Sequence, residues 1–283
     1  MIFNKFFILF KIGRKIGKSN IINIVSETHK IPVFIKLFFN LLAFSFSSSN
    51  NTKSKGKENL SESIQEMGTT FIKLGQFLAT RPDIIGEKLS KELESLQDKL
   101  PPFSKKEAEK IIIENLGQSN FDDIIDLSEP IAAASIAQVH KAKIKEDNII
   151  KNVAIKVLRP NIKKIFNDEI DAIMLLAYIV ESLISKTKRL KLIEVVFLFK
   201  EITNHEMDLR FEAAAANEYA ENTKNDLGFF VPKIYWNFTS ESVLTLDWVD
   251  GVSIREKDLL KEKNIETSKI CLLYTSDAAD DSL

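Results

Sequence analysis

The residues with the clearest chemical potential lie in "IAAASIAQVHKA" (131–142) and in "VAIK" (153–156). A strand, a tight loop of small residues, a second strand and a lysine inside a β run are how one class of nucleotide-phosphate site begins. The compact ammonium group of Lys156 is suited to neutralising phosphate oxygens. A short β run that ends in an exposed lysine is common by itself, so the preceding loop gives the pattern its weight.

That loop carries small residues other than the glycines usual in such sites, namely Ala132, Ala133, Ala134 and Ser135. Alanine keeps its backbone N–H donor but does not easily adopt the positive φ angles that glycine permits. We therefore expect a stiffer loop whose contact with phosphate differs from that of a glycine loop. The alternative is that the three alanines only pack a tight turn.

A carboxylate that could hold Lys156 is available in "EITNHEMDLRFEAAAAN" (201–217). Asp208 and Glu212 are four residues apart and would share a helical face, while Glu206 stands four residues before Arg210. One of these acids is a candidate partner for Lys156. The alternative is an ordinary solvated acidic face.

A second cluster lies in "FIKLGQ" (71–76), where Lys73 and Gln76 are one helical turn apart in an apolar setting. Gly75 stands between them, and a glycine inside a helix costs roughly 1 kcal/mol relative to alanine. We therefore expect another group to approach that helix face closely.

Several other site types are excluded by composition. The chain has one cysteine, Cys271, and three scattered histidines, so it offers no disulfide framework, no zinc-ligand cluster and no Ser/His/Asp or Cys/His set. Gln138 and His140 alternate along a strand, and for His140 we expect a surface or strand-pairing role. The sequence also lacks the H-x-D and D-F-G motifs that supply a catalytic base and magnesium ligands in kinases. We assign no metal-ligating residue.

The elements that must position these residues form an α+β pattern. We predict β runs at 130–144, 152–158 and 242–249, and helices over 60–99 with a sharp interruption at 81–86. Ser104 and Glu107 have the spacing of a capped helix start. Two long helical patterns follow the central strands, one with an apolar stripe and one from about Leu192 to Asn222. The stripe consists of Ile170, Ile173, Met174, Ala177 and Tyr178.

The N-terminal part differs in charge from the rest of the chain. Residues 1–59 carry ten Lys or Arg against two Glu, a net charge of +8, whereas the remainder carries 29 basic against 38 acidic residues. The apolar run 31–46 is shorter than the roughly 20 residues that span a bilayer. We interpret 1–46 as basic amphipathic helices on an anionic membrane surface, followed by a polar linker at 47–59. Helices packed on the folded domain are the alternative. Nucleic-acid binding is disfavoured because few hydrogen-bonding side chains stand between the basic residues.

At this point the sequence resembles the UbiB/ABC1/ADCK atypical protein-kinase-like family over about residues 60–269. Six stretches match in the family's order: "FIKLGQFLATRPDII", "LQDKLPPF", "PIAAASIAQVHKA", "VAIKVLRP", "EMDLRFEAAAAN" and "VPKIYWNFTSESVLTLDWVDG". The resemblance implies a kinase-like N-lobe at 130–250, a helical extension at 60–129 laid over the active site, and the start of a C-lobe at 251–269.

The resemblance also implies roles for individual residues. Lys156 and Glu212 would be the catalytic pair, and ATP would be held by the alanine-rich loop, Lys156 and an adenine hinge at Asp247, Trp248 and Val249. A regulatory motif would comprise Lys73, Gly75, Gln76, Glu206 and Asp208.

Family members support ubiquinone biosynthesis at the membrane, so the resemblance implies an atypical kinase or ATPase that uses ATP and magnesium. It implies the cytoplasmic face of a bacterial inner membrane, with quinone-biosynthesis proteins or lipid intermediates as partners. A non-catalytic membrane-surface scaffold is the alternative, and an ordinary protein kinase is disfavoured by the alanine loop. The chain stops where the family continues into its C-lobe, and residues 270–283 resemble a non-native tail. We therefore expect this chain alone to be an inactive fragment without magnesium ligands.

Overall fold

The computed structural model describes residues 2–18, 60–96, 100–183, 185–226, 228–252, 254 and 256–265. The chain divides into two compact units, Met1–Asp247 and Trp248–Leu283. The helices are α1 Ile2–Lys18, α2 Leu60–Met67, α3 Thr69–Ala79, α4 Pro82–Ile85, α5 Glu87–Glu94, α6 Lys105–Leu116, α7 Gln118–Asp122, α8 Ile162–Leu183, α9 Leu192–Glu206, α10 Leu209–Asn222 and, in the second unit, α11 Lys257–Glu262. The strands are β1 Ile124–Ile125, β2 Pro130–Ala133, β3 Ala137–Glu146, β4 Ile149–Leu158 and β5 Val243–Asp247. This α+β arrangement agrees with the fold class predicted from the sequence and with a kinase-like N-lobe.

The strands form one antiparallel sheet in the order β1-β3-β4-β5, and β2 also pairs with β3. A two-residue turn joins β3 to β4, and its residues Asp147 and Asn148 have φ angles of 52° and 63°. Positive φ at both positions is typical of the turn that matches the natural twist of a hairpin. Because the hairpin fixes the register, Val139 lies opposite Lys156.

One face of the sheet is covered along most of its length. Every second residue of β4 points into a cluster with Ile112 of α6 and with Phe238. These residues are Val153, Ile155 and Val157, and all three are fully buried. The capping box predicted at Ser104 and Glu107 is present at the start of α6. The Ser104 side chain accepts the backbone N–H of Glu107, and the Glu107 carboxylate accepts the backbone N–H of Ser104. Lys156 lies on the opposite face of the sheet.

Helix α8 forms the centre of the second core. Ile170, Ile173 and Ala177 are buried as the stripe predicted, whereas Tyr178 lies at its exposed edge. Helix α1 packs against this core through Ile12, which is 3% exposed. The side of α1 that includes Ile12 is therefore packed on the folded part of the chain, and the rest of the segment 1–46 predicted to contact a membrane, residues 19–46, lies outside the described residues, together with the linker at 47–59. Among the helices that the structure describes, none is long and apolar enough to cross a bilayer.

The helical extension begins at α2 and is broken at more places than predicted. Gly68, with φ 102°, separates α2 from α3, and the predicted interruption at 81–86 contains the single turn α4. Gly75 explains the close approach expected at α3, since a Cβ there would lie 2.7 Å from Leu96 Cδ1. The glycine thus lets the Leu96 side chain pack directly against the helix backbone.

The prediction of one helix from Leu192 to Asn222 was wrong. The helix is interrupted at Met207 and Asp208, because Asp208 takes an extended conformation and its carboxylate accepts the N–H of Arg210. Asp208 is therefore the N-cap of α10, and α9 ends at Glu206. The break separates the three acidic residues onto different elements, so they do not share one helical face.

Candidate functional site

Lys156 and Glu212 form the contact that the sequence analysis expected. The Lys156 ammonium on β4 donates to both carboxylate oxygens of Glu212 on α10, at 2.9 Å to Oε1 and 2.7 Å to Oε2. Their side chains are 27% and 49% exposed, so an ion pair of this kind adds only about 0.2–1 kcal/mol to stability. Its main consequence is geometric: the pair fixes the ammonium and leaves one of its three N–H donors for another partner.

Helix α10 is held in place at its first turn. The Asp208 carboxylate receives both the backbone N–H and the guanidinium of Arg210, and this hydrogen-bonded guanidinium lowers the pKa of Asp208. The N–H of Leu209 donates to Glu241 O in the segment before β5, at 3.0 Å. Ala213 is fully buried, and its small side chain allows α10 to pack closely. These contacts bring Glu212 within reach of Lys156.

A second ion pair links the helical extension to the same region. Lys73 of α3 contacts Glu206 of α9 with 2.9 Å between Nζ and Oε2, and its side chain is 16% exposed. The sequence spacing placed Glu206 near Arg210, but Arg210 pairs with Asp208 instead because the helix breaks between them. Gln76 is half-buried on α3.

The two ion pairs line one cavity of about 400 Å³. Its wall combines both lysine–glutamate pairs with apolar and aromatic residues from the loop region, α9 and α10. The lining residues are Lys73, Ala134, Ile136, Ala137, Lys156, His205, Glu206, Phe211 and Glu212.

The sequence analysis missed two aromatic residues of this cavity. His205 and Phe211 stack in parallel, with ring centroids 4.9 Å apart and 7° between the ring planes. They flank the E-x-D motif in "HEMDLRF", His205 one residue before Glu206 and Phe211 three residues after Asp208, and an aromatic residue on each side of the acids was a signal that could have found them.

The alanine-rich segment is partly strand and partly loop. Ala132 and Ala133 belong to β2 and pair with β3, so the connecting loop is only Ala134, Ser135 and Ile136. The Ala134 N–H donates to Ala137 O at 2.8 Å. The Ser135 side chain is fully buried, and its carbonyl accepts from the Thr69 hydroxyl of α3 at 3.3 Å. The loop is therefore closed on itself and attached to the extension.

The sheet face that carries Lys156 has an open apolar part, which the sequence analysis also missed. Val139 of β3, Ala154 of β4 and Leu246 of β5 lie on this face by register, and all three are half-buried. The alternation along "VAIK" already indicates that Ala154 and Lys156 share a face. Small and aliphatic side chains on a sheet surface suit a planar apolar group.

Gln138 and His140 form a buried polar pair beneath the opposite face. Gln138 accepts from the Phe103 N–H at 3.0 Å and donates to Phe103 O at 3.2 Å, so its amide nitrogen is directed towards His140 Nε2 at 2.9 Å. His140 Nδ1 lies 2.8 Å from Ser128 O. This arrangement requires a neutral imidazole that donates from Nδ1 and accepts at Nε2. The strand-pairing role holds for His140, and the surface role does not.

We predict that His140 makes stability pH-dependent. Burial and, less strongly, the charge of Lys105 lower the pKa of His140, against the opposing effects of Ser128 O, Glu129 and Glu109. The unfolded chain, with a pKa near about 6.5, then binds more protons than the folded chain as pH falls below that value. The contribution of neutral His140 to the free energy of unfolding should be fully present above about pH 6.5. It should be lost as the pH falls below that value, towards the lowered pKa of His140 in the folded state. Thermal melts of wild type and His140→Gln between pH 5 and 8 test this, and equal slopes in the two proteins would contradict it.

The predicted adenine hinge begins at the end of β5. The Asp247 carboxylate accepts the Tyr235 hydroxyl at 2.6 Å and the Lys233 N–H at 3.1 Å, so it anchors the strand end. Burial and this carboxylate raise the pKa of Tyr235 well above its usual range. Trp248 and Val249 belong to the second unit, where the Trp248 indole donates to Asp250 Oδ1 at 2.7 Å.

The acids near the cavity do not form a metal-ligand set. In the ranges that the structure covers, no three His, Cys, Asp or Glu side chains are grouped as metal ligands would be. The cavity holds two lysines and two glutamates, whose charges cancel.

Comparison with known proteins identifies the family. The ABC1 atypical kinase-like domain matches residues 95–276. The chain is 33% identical over 237 residues to "Probable protein kinase UbiB" of Marinobacter nauticus, covering 83% of this chain and 42% of that protein. It is 30% identical over 260 residues to the protein of the same name from Pseudomonas paraeruginosa, covering 91% and 48%. The UbiB protein of Cellvibrio japonicus is 32% identical over 241 residues, covering 85% and 43%. The chain thus spans just under half the length of these relatives. From the match over residues 95–276, we conclude that the chain belongs to the ABC1 atypical kinase-like family.

Proposed function

We propose that the protein containing this chain binds ATP at the Lys156 cavity and acts as an atypical kinase or ATPase. The observation that carries the proposal is the bidentate contact of Lys156 with Glu212 in the wall of a cavity that also includes the loop residue Ala134. In kinase-type sites a lysine held by a helix carboxylate contacts the nucleotide phosphates. The remaining N–H donor of Lys156 is available for that contact.

The open apolar part of the sheet gives the nucleobase a place on the same face as Lys156. The base would lie against Val139, Ala154 and Leu246, and the phosphates would extend towards Lys156. Because the charges of the cavity cancel, a triphosphate would enter with negative charge that these side chains do not neutralise. A magnesium ion bound with the nucleotide would supply the missing positive charge, and we assign no ligand for it in this chain.

The family resemblance supports ubiquinone biosynthesis as the biological setting, at the cytoplasmic face of a bacterial inner membrane. The basic and aromatic composition of residues 1–46 supports contact with anionic lipid through side chains other than those on the Ile12 side of α1, which pack on the core. Quinone-biosynthesis proteins or lipid intermediates would be the partners. The ion pair between Lys73 and Glu206 places the extension at the cavity. This supports a reaction other than phosphorylation of a protein substrate.

A second candidate function is a non-catalytic scaffold at the membrane surface. The cancelled charges of the cavity favour it, because Lys156 and Glu212 also satisfy each other without any ligand. In that case the pair would only attach α10 to β4.

Thermal stabilisation by ATP and magnesium distinguishes the two functions. In the whole protein that contains this sequence, we expect ATP to raise the melting temperature and Lys156→Ala to weaken ATP binding about 10- to 100-fold, the effect of losing a hydrogen bond to a charged group. Lys151→Ala is the matched control, because Lys151 lies on the same strand, is 32% exposed and pairs with Glu146. Absence of stabilisation in the wild type, or equal binding by the wild type and Lys156→Ala, would favour the scaffold.

A further inference from the structure

One residue, Arg159, holds both ends of the closed loop, one end through its backbone and the other through its side chain. Arg159 follows the last residue of β4, and its backbone N–H donates to Ile136 O at 2.8 Å. Its guanidinium donates to Ala134 O from Nε at 3.1 Å and from Nη2 at 2.8 Å. The first and last residues of the loop are thus held by the same arginine.

The same guanidinium also binds the segment that precedes α6. Nη1 donates to Pro101 O at 3.0 Å and Nη2 approaches Leu100 O at 3.4 Å. The guanidinium carbon lies 5.8 Å from the centroid of the Phe103 ring. Arg159 therefore joins the loop to the part of the helical extension that lies between α5 and α6.

The contacts close the loop in a form that competes with phosphate binding. The Ala134 N–H is already used by Ala137 O, so a phosphate oxygen could take this donor only if the turn opened. Ala134 O is held by Arg159, and Ser135 O is held by Thr69 of α3. Opening the turn would move these carbonyls and break both contacts.

We propose that Arg159, assisted by Thr69, is a positioning residue that keeps the alanine-rich loop closed and thereby lowers the affinity for nucleotide. This inference rests on the proposed function, because the ligand is the nucleotide of the Lys156 site. Only molecules with an open loop would bind fully, and the apparent dissociation constant rises as the open fraction falls. Release of the contact should therefore tighten binding, which is the opposite of what general damage to the site would do.

Arg159→Lys is the sharpest variant, since lysine keeps the positive charge but has no planar fork with which to hold Ala134 O and Pro101 O together. The whole protein is compared with this variant by two measurements: amide hydrogen exchange of peptides covering residues 132–137 without nucleotide, and calorimetric affinity for ATP with magnesium. We expect exchange about tenfold faster and ATP binding three- to tenfold tighter. Arg81→Lys is the control, because Arg81 also forms a forked contact, with Asp83, but on the helical extension outside this cavity. It should change neither quantity.

Thr69→Val provides an independent test if Arg159→Lys does not fold, and we expect a smaller change in the same direction. Unchanged exchange at 132–137 in a folded variant would overturn the inference, whatever the nucleotide does. Faster exchange with equal or weaker ATP binding would also overturn it. Faster exchange in a protein that binds no ATP in either form would leave the loop contact standing and refute the proposed nucleotide site.

Discussion

Replacement of Ala154 by leucine is expected to abolish ATP-dependent stabilisation of the protein. Ala154 lies on the middle strand of the open sheet face, opposite Leu246 on β5 and diagonal to Val139 on β3, and its side chain is half-buried. A leucine there adds three carbon atoms to the surface on which the base would lie. Since protein interiors and binding surfaces are packed as closely as organic crystals, a base could not keep both this contact and the phosphate contact with Lys156. We expect a loss of affinity of at least about 100-fold, equivalent to about 2.7 kcal/mol.

The measurement is the shift in melting temperature on addition of ATP and magnesium. Asn152→Leu is the matched control, because Asn152 lies on the same strand and the same face, two residues further from Lys156, and is exposed. The melting temperature without nucleotide should be similar in both variants, which separates the loss of binding from a loss of stability. A full ATP-dependent shift in Ala154→Leu would show that the base binds elsewhere.

The parts of the site that follow local patterns could be predicted from the sequence. Alternation in "VAIK" places Lys156 on one face of a strand, and the family pattern names Glu212 as its partner 56 residues later. The capping box at Ser104 is a contact within one helical turn, and the apolar stripe of α8 is a spacing that repeats along two turns, so both could be recognised locally and both are present. The glycine inside α3 correctly indicated a close neighbour, but only the fold identifies it as Leu96.

The rest depends on contacts between distant parts of the chain. Glu206 has an apparent local partner in Arg210, yet the N-cap formed by Asp208 breaks the helix and Glu206 pairs with Lys73 across 133 residues. Small-residue composition correctly indicated a tight loop between two strands. It could not show that Arg159 and Thr69 hold the loop carbonyls, because each contact depends on how β4 and α3 pack against the loop.

The same long-range packing leads to the largest expected effect on stability, at Phe199. Its ring lies 5.5 Å from that of Phe77 on α3 and 5.6 Å from that of Phe166 on α8, measured between centroids. Phe199 is 1% exposed, so Phe199→Ala should lower the free energy of unfolding by about 3–5 kcal/mol. The ion pair of Lys73 and Glu206 also joins α3 to α9, the helix of Phe199, but contributes only about 0.2–1 kcal/mol, as its carboxylate is 42% exposed. Aromatic packing, rather than the ion pair, therefore holds the extension on the lobe.

Phe197→Ala is the control on the same helix, since Phe197 is 54% exposed and should cost less than about 0.5 kcal/mol. Urea unfolding of both variants measures the difference, and Glu206→Gln measures the ion pair separately. If Glu206→Gln destabilised the protein as much as Phe199→Ala, charge would be the main attachment of the extension, and its position over the cavity would then depend strongly on salt. If packing dominates, as the burial of Phe199 requires, added salt should leave the extension in place, because apolar contacts are not screened.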